Sequence, residues 1–168
     1  MDSHTADLRI KAYGTGAVVL LLDRFTKWLV ETRVSFQDSH PVIPGFFDIV
    51  RSENRGVAFG LFNDSTSEWR TLILVLLSVG AVIGVSVVLW RPERLDRLSM
   101  WGFALILGGA AGNVVDRILW GHVTDFLLFY MRDYQWPAFN VADSAIVIGS
   151  GLLALGLLRP RPQAANVP

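Results

Sequence analysis

The sequence predicts an all-α membrane bundle of four transmembrane helices, with a small β-rich segment outside the membrane. Of the 168 residues, 52% are hydrophobic and 18% are charged. That balance is typical of an integral membrane protein rather than a soluble domain. Apolar runs of about 20 residues recur along the chain, and a helix of that length crosses the hydrocarbon core of a bilayer. The length suits one domain, which we place over residues 1–168.

The four spans are predicted at about residues 10–32, 70–90, 98–120 and 140–158. The second is the clearest, because no charged residue lies between Arg70 and Arg91. The third is uncharged until Asp116. The first is interrupted by Asp23 and Lys27, whose spacing, with the acid four residues before the base, favours an ion pair within a helix. We therefore expect Asp23 and Lys27 to have a structural role.

Basic residues predict that both chain termini lie on the cytoplasmic side of the membrane. Arg9 and Lys11 precede the first span, residues 91–97 carry three arginines, and two more arginines follow the last span. Segments rich in Lys and Arg favour the cytoplasmic side. With four spans, residues 33–69 and 121–139 then face outward.

The two outward-facing segments have different patterns. Residues 41–50 alternate and are rich in β-branched and aromatic side chains, which predicts short strands. Residues 121–139 include several aromatic residues, and Tyr and Trp favour the membrane interface. We therefore expect this second segment to lie along the surface as a helix or loop. The proline-containing tail, residues 159–168, is predicted to be disordered.

Composition narrows the chemistry that the chain can perform. It contains no Cys, which excludes disulfides, thiolate metal sites and Cys nucleophiles. No pair among the three His has the spacing of a metal site. The formal net charge is zero, so no basic surplus indicates a nucleic-acid partner. An aspartate-based activity or a non-catalytic function remains.

Asp125 and Asp143 lie near the outer ends of apolar segments. A carboxylate at membrane depth is costly unless it is paired, protonated or facing water, so both are candidates for a functional site. If they meet, they can share one proton, as the two carboxyls of an aspartic protease do. The alternative is that Asp125 is an ordinary loop residue and Asp143 a helix cap.

Other polar residues share helix faces with these acids. Asn140 and Asp143 are three residues apart and lie on one face of a helix. Asn113, Asp116 and Arg117 place an amide, an acid and a guanidinium on one face of the third span. Arg117 is predicted to pair with Asp116, or to bind a substrate carbonyl or a lipid phosphate. For Asp116 we favour a structural ion pair.

Two glycine-containing motifs complete the candidate set. Gly108 and Gly112 form a small-xxx-small pair, which permits close packing of helices in lipid. Asn54 is a candidate for hydrogen bonding to an extended peptide, and Gly56 for a positive φ angle. The alternative for Asn54 and Gly56 is an ordinary turn.

Together, five motifs in this order closely resemble the bacterial lipoprotein signal peptidases, also called signal peptidase II. They are Asp23-x-x-x-Lys27 and residues 53–59, 108–117, 121–126 and 137–144. Each motif is weak alone, but five in order on a four-span chain are highly specific. The resemblance extends over about residues 10–158.

The resemblance implies an intramembrane aspartyl endopeptidase of the bacterial inner membrane. Such an enzyme removes the signal peptide from a prolipoprotein by cutting before a cysteine that carries a diacylglyceryl group. The resemblance implies that Asp125 and Asp143 are catalytic. It implies substrate-positioning roles for Asn54, Asn113, Arg117 and Asn140. It implies scaffold roles for Asp23, Lys27, Gly56, Ala58, Gly108, Gly112 and Asp116.

The same resemblance implies a small extracytoplasmic β-rich cradle and a surface helix over the active site, formed by residues 33–69 and 121–139. It implies membrane lipid and lipidated prolipoproteins as partners, no metal or organic cofactor, and a monomer. The chain departs from the family pattern at Arg55, an extra cation near the expected cleft, and at Thr124, which adds a hydroxyl beside Asp125.

Two other functions compete with a peptidase. Intramembrane acids also serve transporters and proton channels, with Asp23, Asp116 and Asp143 as a relay. Against this, the acids cluster toward one side of the membrane, and no inverted repeat is visible. A non-catalytic membrane assembly factor would leave Asp125 and Asp143 dispensable.

Overall fold

The structure is a computed structural model that describes residues 3–36, 38–56 and 68–158. The helices are α1 (Ser3–Arg33), α2 (Glu68–Leu89), α3 (Arg97–Trp120) and α4 (Val141–Leu158). The strands are β1 (Ser39–Ile43), β2 (Phe47–Asn54), β3 (Val123–Met131) and β4 (Tyr134–Gln135). One 3₁₀ turn, Pro92–Arg94, joins α2 to α3.

Three of the helices are long and apolar enough to cross a membrane: α2 over Leu72–Leu89, α3 and α4. Only 6% of the α2 window is buried inside the protein. A helix that is apolar all round needs an apolar surrounding on every face. Lipid is the surrounding that suits α2. The fourth helix, α1, carries buried charges at Asp23 and Lys27.

Helix α3 lies at the centre of the bundle and contacts α1, α2 and α4. Glycines on α3 make these contacts close. A Cβ atom added at Gly108 would lie 2.4 Å from the Gly16 carbonyl oxygen of α1. One added at Gly109 would lie 2.3 Å from the Ala142 carbonyl oxygen of α4. Because the helix backbones approach this closely, α3 can bring polar groups of α1 and α4 together.

Gly108→Ala is expected to destabilise the bundle by about 1–3 kcal/mol, since the extra methyl group overpacks a close helix contact. The methyl would also lie 2.6 Å from the Val19 Cβ atom, so neither neighbour is a flexible side-chain end. The measurement is the free energy of unfolding in mixed detergent micelles. Gly151→Ala is the control, because a Cβ atom there meets nothing within 4 Å. It should leave stability unchanged or raise it slightly. Equal effects of the two substitutions would contradict the prediction.

Local sequence fixes both ends of α3. The Asp96 side chain accepts hydrogen bonds from the backbone N–H groups of Leu98 at 2.9 Å and Ser99 at 3.1 Å. It is therefore an N-cap, which satisfies donors that lack a partner within the helix. The helix stops at Gly121, whose φ of 73° is left-handed and whose N–H donates to the Arg117 carbonyl. Asp125 follows four residues after this stop.

The strands form one antiparallel sheet in the order β1-β2-β3-β4. Strand β3 pairs with β2 so that Ser52 lies opposite Asp125 and Asn54 opposite Val123. The sheet rests on the end of α1, where Phe126 packs with Val30 in a buried cluster. The register therefore places the ends of β2 and β3 next to the polar end of the helix bundle.

The described strands confirm the β-rich segment, and they correct one expectation. Residues 121–139 contain β3 and β4 and no helix, so the surface helix or loop expected for this segment is wrong. Pairing of β3 with β2 satisfies the backbone of this segment, and successive side chains of β3 point to opposite faces of the sheet instead of lying on one helix face. Residues 57–67 of the other outer segment, including Ala58, and the tail from residue 159 lie outside the described residues.

Candidate active site

Asp125 lies on β3 with its carboxyl directed into the junction of the sheet and the helix bundle. The residue is 3% exposed. One carboxyl oxygen accepts a hydrogen bond from Asn54 Nδ2 at 3.0 Å, and the other accepts one from Asn140 Nδ2 at 2.7 Å. Two amide donors therefore hold both oxygens of a buried carboxyl in place.

Asp143 lies in the first turn of α4, three residues after Asn140. Its Oδ1 accepts a hydrogen bond from Asn113 Nδ2 at 2.7 Å, and its Oδ2 accepts one from the Asn140 backbone N–H at 3.3 Å. Asn140 Oδ1 in turn accepts from the Asp143 backbone N–H at 2.9 Å. This reciprocal pair is a capping box, which satisfies two donors at the start of the helix.

Asn140 links the two carboxyls. It is fully buried, and its side chain uses the oxygen to cap α4 and the nitrogen to bind Asp125. Its backbone N–H binds Asp143. The structure thus brings Asp125 and Asp143 to one place, and the helix cap expected as the alternative for Asp143 is present, while the sharing of a proton stays a prediction.

Burial raises the pKa of Asp125 to about 6. Removal of the carboxyl from water is the largest cause, because a low-dielectric surrounding disfavours the ionised form. The charge of Asp143 raises the pKa further. The hydrogen bonds from Asn54 and Asn140 and the charge of Lys27 act in the opposite direction. Asp125 can therefore exchange a proton near neutral pH, as an acid or base in catalysis must.

The turn after β2 orients Asn54. Its Oδ1 accepts a hydrogen bond from the Gly56 backbone N–H at 2.8 Å, which leaves its Nδ2 directed at Asp125. Gly56 has a φ of 83°, a left-handed conformation that side chains disfavour. A Cβ atom there would also lie 2.0 Å from Leu74 Cδ1. The turn is present and also holds a polar group of the site, while the contact of Asn54 with an extended peptide stays a prediction.

A buried network of charged side chains borders the carboxyl pair. Lys27 is fully buried, and its Nζ lies 2.7 Å from Asp23 Oδ2, 2.6 Å from Asp116 Oδ2 and 3.1 Å from Asn113 Oδ1. Through Asn113, this cation is connected to Asp143 by two hydrogen bonds. The expected pairing of Asp23 with Lys27 is present.

Asp23 joins this network to the start of α4. Its second oxygen accepts a hydrogen bond from the Ala142 backbone N–H at 2.9 Å. A Cβ atom at Gly112 would lie 2.6 Å from the same carboxyl, so the glycine makes room for it. Asp23 therefore caps a helix that is more than a hundred residues away in sequence.

Arg24 and Glu31 belong to the same region, although the sequence analysis did not select them. Arg24 makes an ion pair with Asp116, and its guanidinium lies 4.3 Å from the centre of the Trp120 ring. Glu31 accepts a hydrogen bond from Thr124 Oγ1 at 2.7 Å, which is a partner for the unusual hydroxyl beside Asp125. The seven-residue spacing of Arg24 and Glu31 places them on one face of α1, a signal that would have found them.

Arg117 and Arg55 make contacts other than those that the sequence analysis expected. Asp116 binds Arg24 and Lys27, and no ion pair with the neighbouring Arg117 is present. Arg117 Nη1 donates instead to the Asn113 carbonyl at 3.2 Å. Arg55 is 74% exposed at its side chain and lies 3.9 Å from Glu53.

Apolar helices around a buried cluster of carboxyls and amides define a multi-pass membrane protein with a buried polar site at one end. Residues 15–159 match the profile of the signal peptidase (SPase) II family. The chain belongs to this family and is a peptidase.

Relatives of this protein align with it along nearly the whole chain. The lipoprotein signal peptidase of Solibacter usitatus is 68% identical over 161 residues, which are 96% of this chain and 98% of that protein. The lipoprotein signal peptidase of Nitratidesulfovibrio vulgaris is 46% identical over 157 residues, which are 91% and 93% of the two chains.

Two solved structures also align with this protein. A bacterial membrane enzyme determined by the in meso method at 2.3 Å resolution aligns with a TM-score of 0.79 at 26% identity, covering 94% of this chain and 93% of that one. A second such structure, at 1.9 Å, aligns with the same score and identity over 90% and 94%. The family decides between a peptidase and a transporter in favour of the peptidase.

Proposed function

We propose that this protein removes signal peptides from diacylglyceryl-modified prolipoproteins, with Asp125 and Asp143 as the catalytic pair. The observation that carries the proposal is the linkage of both carboxyls by Asn140, 2.7 Å from one and 3.3 Å from the other. Two carboxyls held together cannot easily both ionise, so they share one proton. The family assignment supplies the substrate class.

The pair supplies both an acid and a base. The ionised carboxylate takes a proton from water as the water oxygen attacks the peptide carbonyl carbon, and the protonated carboxyl donates its proton to the carbonyl oxygen. A tetrahedral diol forms. When it collapses, the carboxyl that took a proton from water donates it to the leaving nitrogen as the carbon–nitrogen bond breaks, and the other carboxylate takes a proton from a diol hydroxyl, which leaves a carboxylic acid on the product. Each carboxyl then ends in its original state, and no metal or cofactor takes part.

The same proposal places four helices across the bacterial inner membrane, with α1 as the fourth. Its charges are compatible with a span because Lys27 and Asp23 neutralise one another inside the bundle. Basic residues near the chain ends favour a cytoplasmic location for both termini. The sheet and the carboxyl pair then lie at the extracytoplasmic face. There the acyl chains of a lipidated substrate can stay in the bilayer, and water reaches the scissile bond.

The asparagines of the site position the carboxyls in the free enzyme. Asn54 and Asn140 each donate one hydrogen bond to Asp125, and Asn113 donates one to Asp143. They remain our candidates for contacts with substrate, because each binds a carboxyl that the peptide bond must approach, and Arg117, which donates to the Asn113 carbonyl, remains a candidate with them. We place Gly56, Gly108, Gly112 and Asp116 in the supporting scaffold, and we propose that the enzyme acts as a monomer.

Cleavage of a purified prolipoprotein by the purified protein in detergent tests the function. The substrate is offered in two forms, with the diacylglyceryl group on its cysteine and without it, and the shortened product is followed by gel shift. We expect cleavage of the lipidated form immediately before the modified cysteine. Failure of folded protein to cut several lipidated substrates would overturn the proposal, and equal cleavage of both forms would remove the lipid from its recognition.

The pH profile of cleavage should report Asp125. Because the free enzyme needs one shared proton, kcat/KM is expected to fall as the pH rises above about 6, the pKa of Asp125. The hydrogen bond from Asn54 lowers that pKa, so Asn54→Ala should raise it and move the descending limb to higher pH. Arg55→Ala, a change at an exposed neighbour, is the control and should leave the limb in place. A limb that does not move in Asn54→Ala would show that another group controls the profile.

A further inference from the structure

A groove of about 760 Å³ lies at the end of the bundle opposite the sheet. It runs between α1 and α2 and ends at the turn that joins α2 to α3. Its volume falls within the 300–1,000 Å³ that ligand clefts have. None of its lining residues belongs to the carboxyl pair or to the buried charge network.

The long wall of this groove is apolar and fixed. Val82, Ile83 and Val87 of α2 line it. Tyr13 of α1 lines the opposite side and donates a hydrogen bond from its hydroxyl to the Ser86 carbonyl at 2.7 Å. This bond ties α1 to α2, so the groove is formed before any ligand binds. An apolar wall along a helix that faces lipid suits a hydrocarbon chain.

The mouth of the groove carries positive charge. Arg91 and Arg94 line it, and both are exposed. Neither makes an ion pair with any residue in the described part of the chain. They are three residues apart around a 3₁₀ turn, a spacing that aligns side chains on one side.

The neighbours of this mouth do not cancel its charge. Glu93, which lies between the two arginines in sequence, lines a different cavity. The Arg9 guanidinium lies 4.6 Å from the centre of the Trp90 ring, and Trp90 also lines the groove. Trp90 is 61% exposed, and Trp is favoured where a membrane protein meets the lipid headgroups. The mouth therefore combines positive charge with an interfacial aromatic ring.

We propose that this groove is a binding site for an anionic phospholipid. The lipid phosphate pairs with Arg91 and Arg94, and one acyl chain lies along the wall of α2. Guanidinium groups match phosphate geometry by donating two parallel hydrogen bonds. Basic pockets between transmembrane helices at a membrane surface suit such headgroups. The site is separate from the peptidase centre and does not depend on its chemistry.

Native mass spectrometry of the full chain in detergent tests the site, with phosphatidylglycerol as the probe and phosphatidylcholine as the neutral comparison. We expect wild-type protein to retain phosphatidylglycerol preferentially. Arg91→Gln with Arg94→Gln should weaken its apparent Kd by about tenfold, since each cation near an anionic lipid contributes severalfold. Arg33→Gln with Arg132→Gln removes the same charge from exposed positions at the sheet end and should leave the Kd unchanged. Equal losses in both double variants would overturn the proposal.

A variant that keeps the charges tests the apolar wall. Val87→Trp fills the groove at a side chain that is 68% exposed, so the substitution does not disturb a packed core. We expect it to weaken retention of phosphatidylglycerol although both arginines remain. Unchanged retention would show that the arginines attract lipid without a built groove. If Val87→Trp instead converted a dimer to a monomer at unchanged lipid retention, the groove would be a contact between two copies of the chain, and the proposal would be wrong.

Discussion

Asp125→Asn and Asp143→Asn are each expected to reduce cleavage of a lipidated prolipoprotein by about a thousandfold or more. An amide can neither take a proton from the attacking water nor hold the proton that the pair shares, and general acid–base catalysis contributes roughly 10²–10⁴-fold to a rate. The measurement is single-turnover cleavage in detergent. Asp125→Asn removes the cost of an ionised group at a residue that is 3% exposed, but its amide nitrogen would face the donor of Asn54 or Asn140, so the free energy of unfolding of each variant is measured alongside cleavage.

Asp48→Asn is a matched control for this prediction. Asp48 is a buried acid on the neighbouring strand β2, and it accepts hydrogen bonds from Ser39 and from the Tyr130 hydroxyl. It makes no contact with the carboxyl pair among the described residues, so cleavage should continue. If Asp125→Asn or Asp143→Asn cleaved as fast as Asp48→Asn, that residue would lose its catalytic assignment.

Lys27→Met is expected to destabilise the protein by about 3–5 kcal/mol, the range for removal of one partner from a buried ion pair. The substitution leaves Asp23 and Asp116 buried without the cation that now lies 2.7 Å and 2.6 Å from them. Asn113 also loses a donor at 3.1 Å, so the position of Asp143 should become less fixed. The free energy of unfolding in mixed micelles measures the first effect, and kcat measures the second.

An exposed lysine in a similar ion pair is the matched control for the Lys27 prediction. Lys11 pairs with Asp7 at 2.5 Å, again four residues apart on α1, but both side chains are about half exposed, at 53% and 52%. Lys11→Met should therefore cost less than about 1 kcal/mol, as exposed pairs do. A loss for Lys27→Met no larger than that for Lys11→Met would show that the buried network does not stabilise the fold.

The helices could be predicted from sequence because the signals are local. An uncharged run before Arg91 and a polar cap at Asp96 depend on neighbouring residues alone, and the structure has α2 and α3 there. The prediction for residues 121–139 failed because the structure of this segment depends on pairing with a distant strand. Aromatic and apolar side chains are compatible with a surface helix or a strand, and pairing with β2, about seventy residues earlier, decides for the strand.

The same division between local sequence signals and tertiary contacts applies to the candidate site. The sequence by itself determined that Asp125 and Asp143 stand near the ends of apolar segments, and that Asp23 and Lys27 are spaced to pair within one helix. Only the tertiary structure decided that Asn140 connects both carboxyls and that Lys27 reaches Asn113, 86 positions away. Spacing along a helix fixes which side chains share its face. Which groups meet across helices depends on how closely the backbones pack, and here that is set by the glycines of α3.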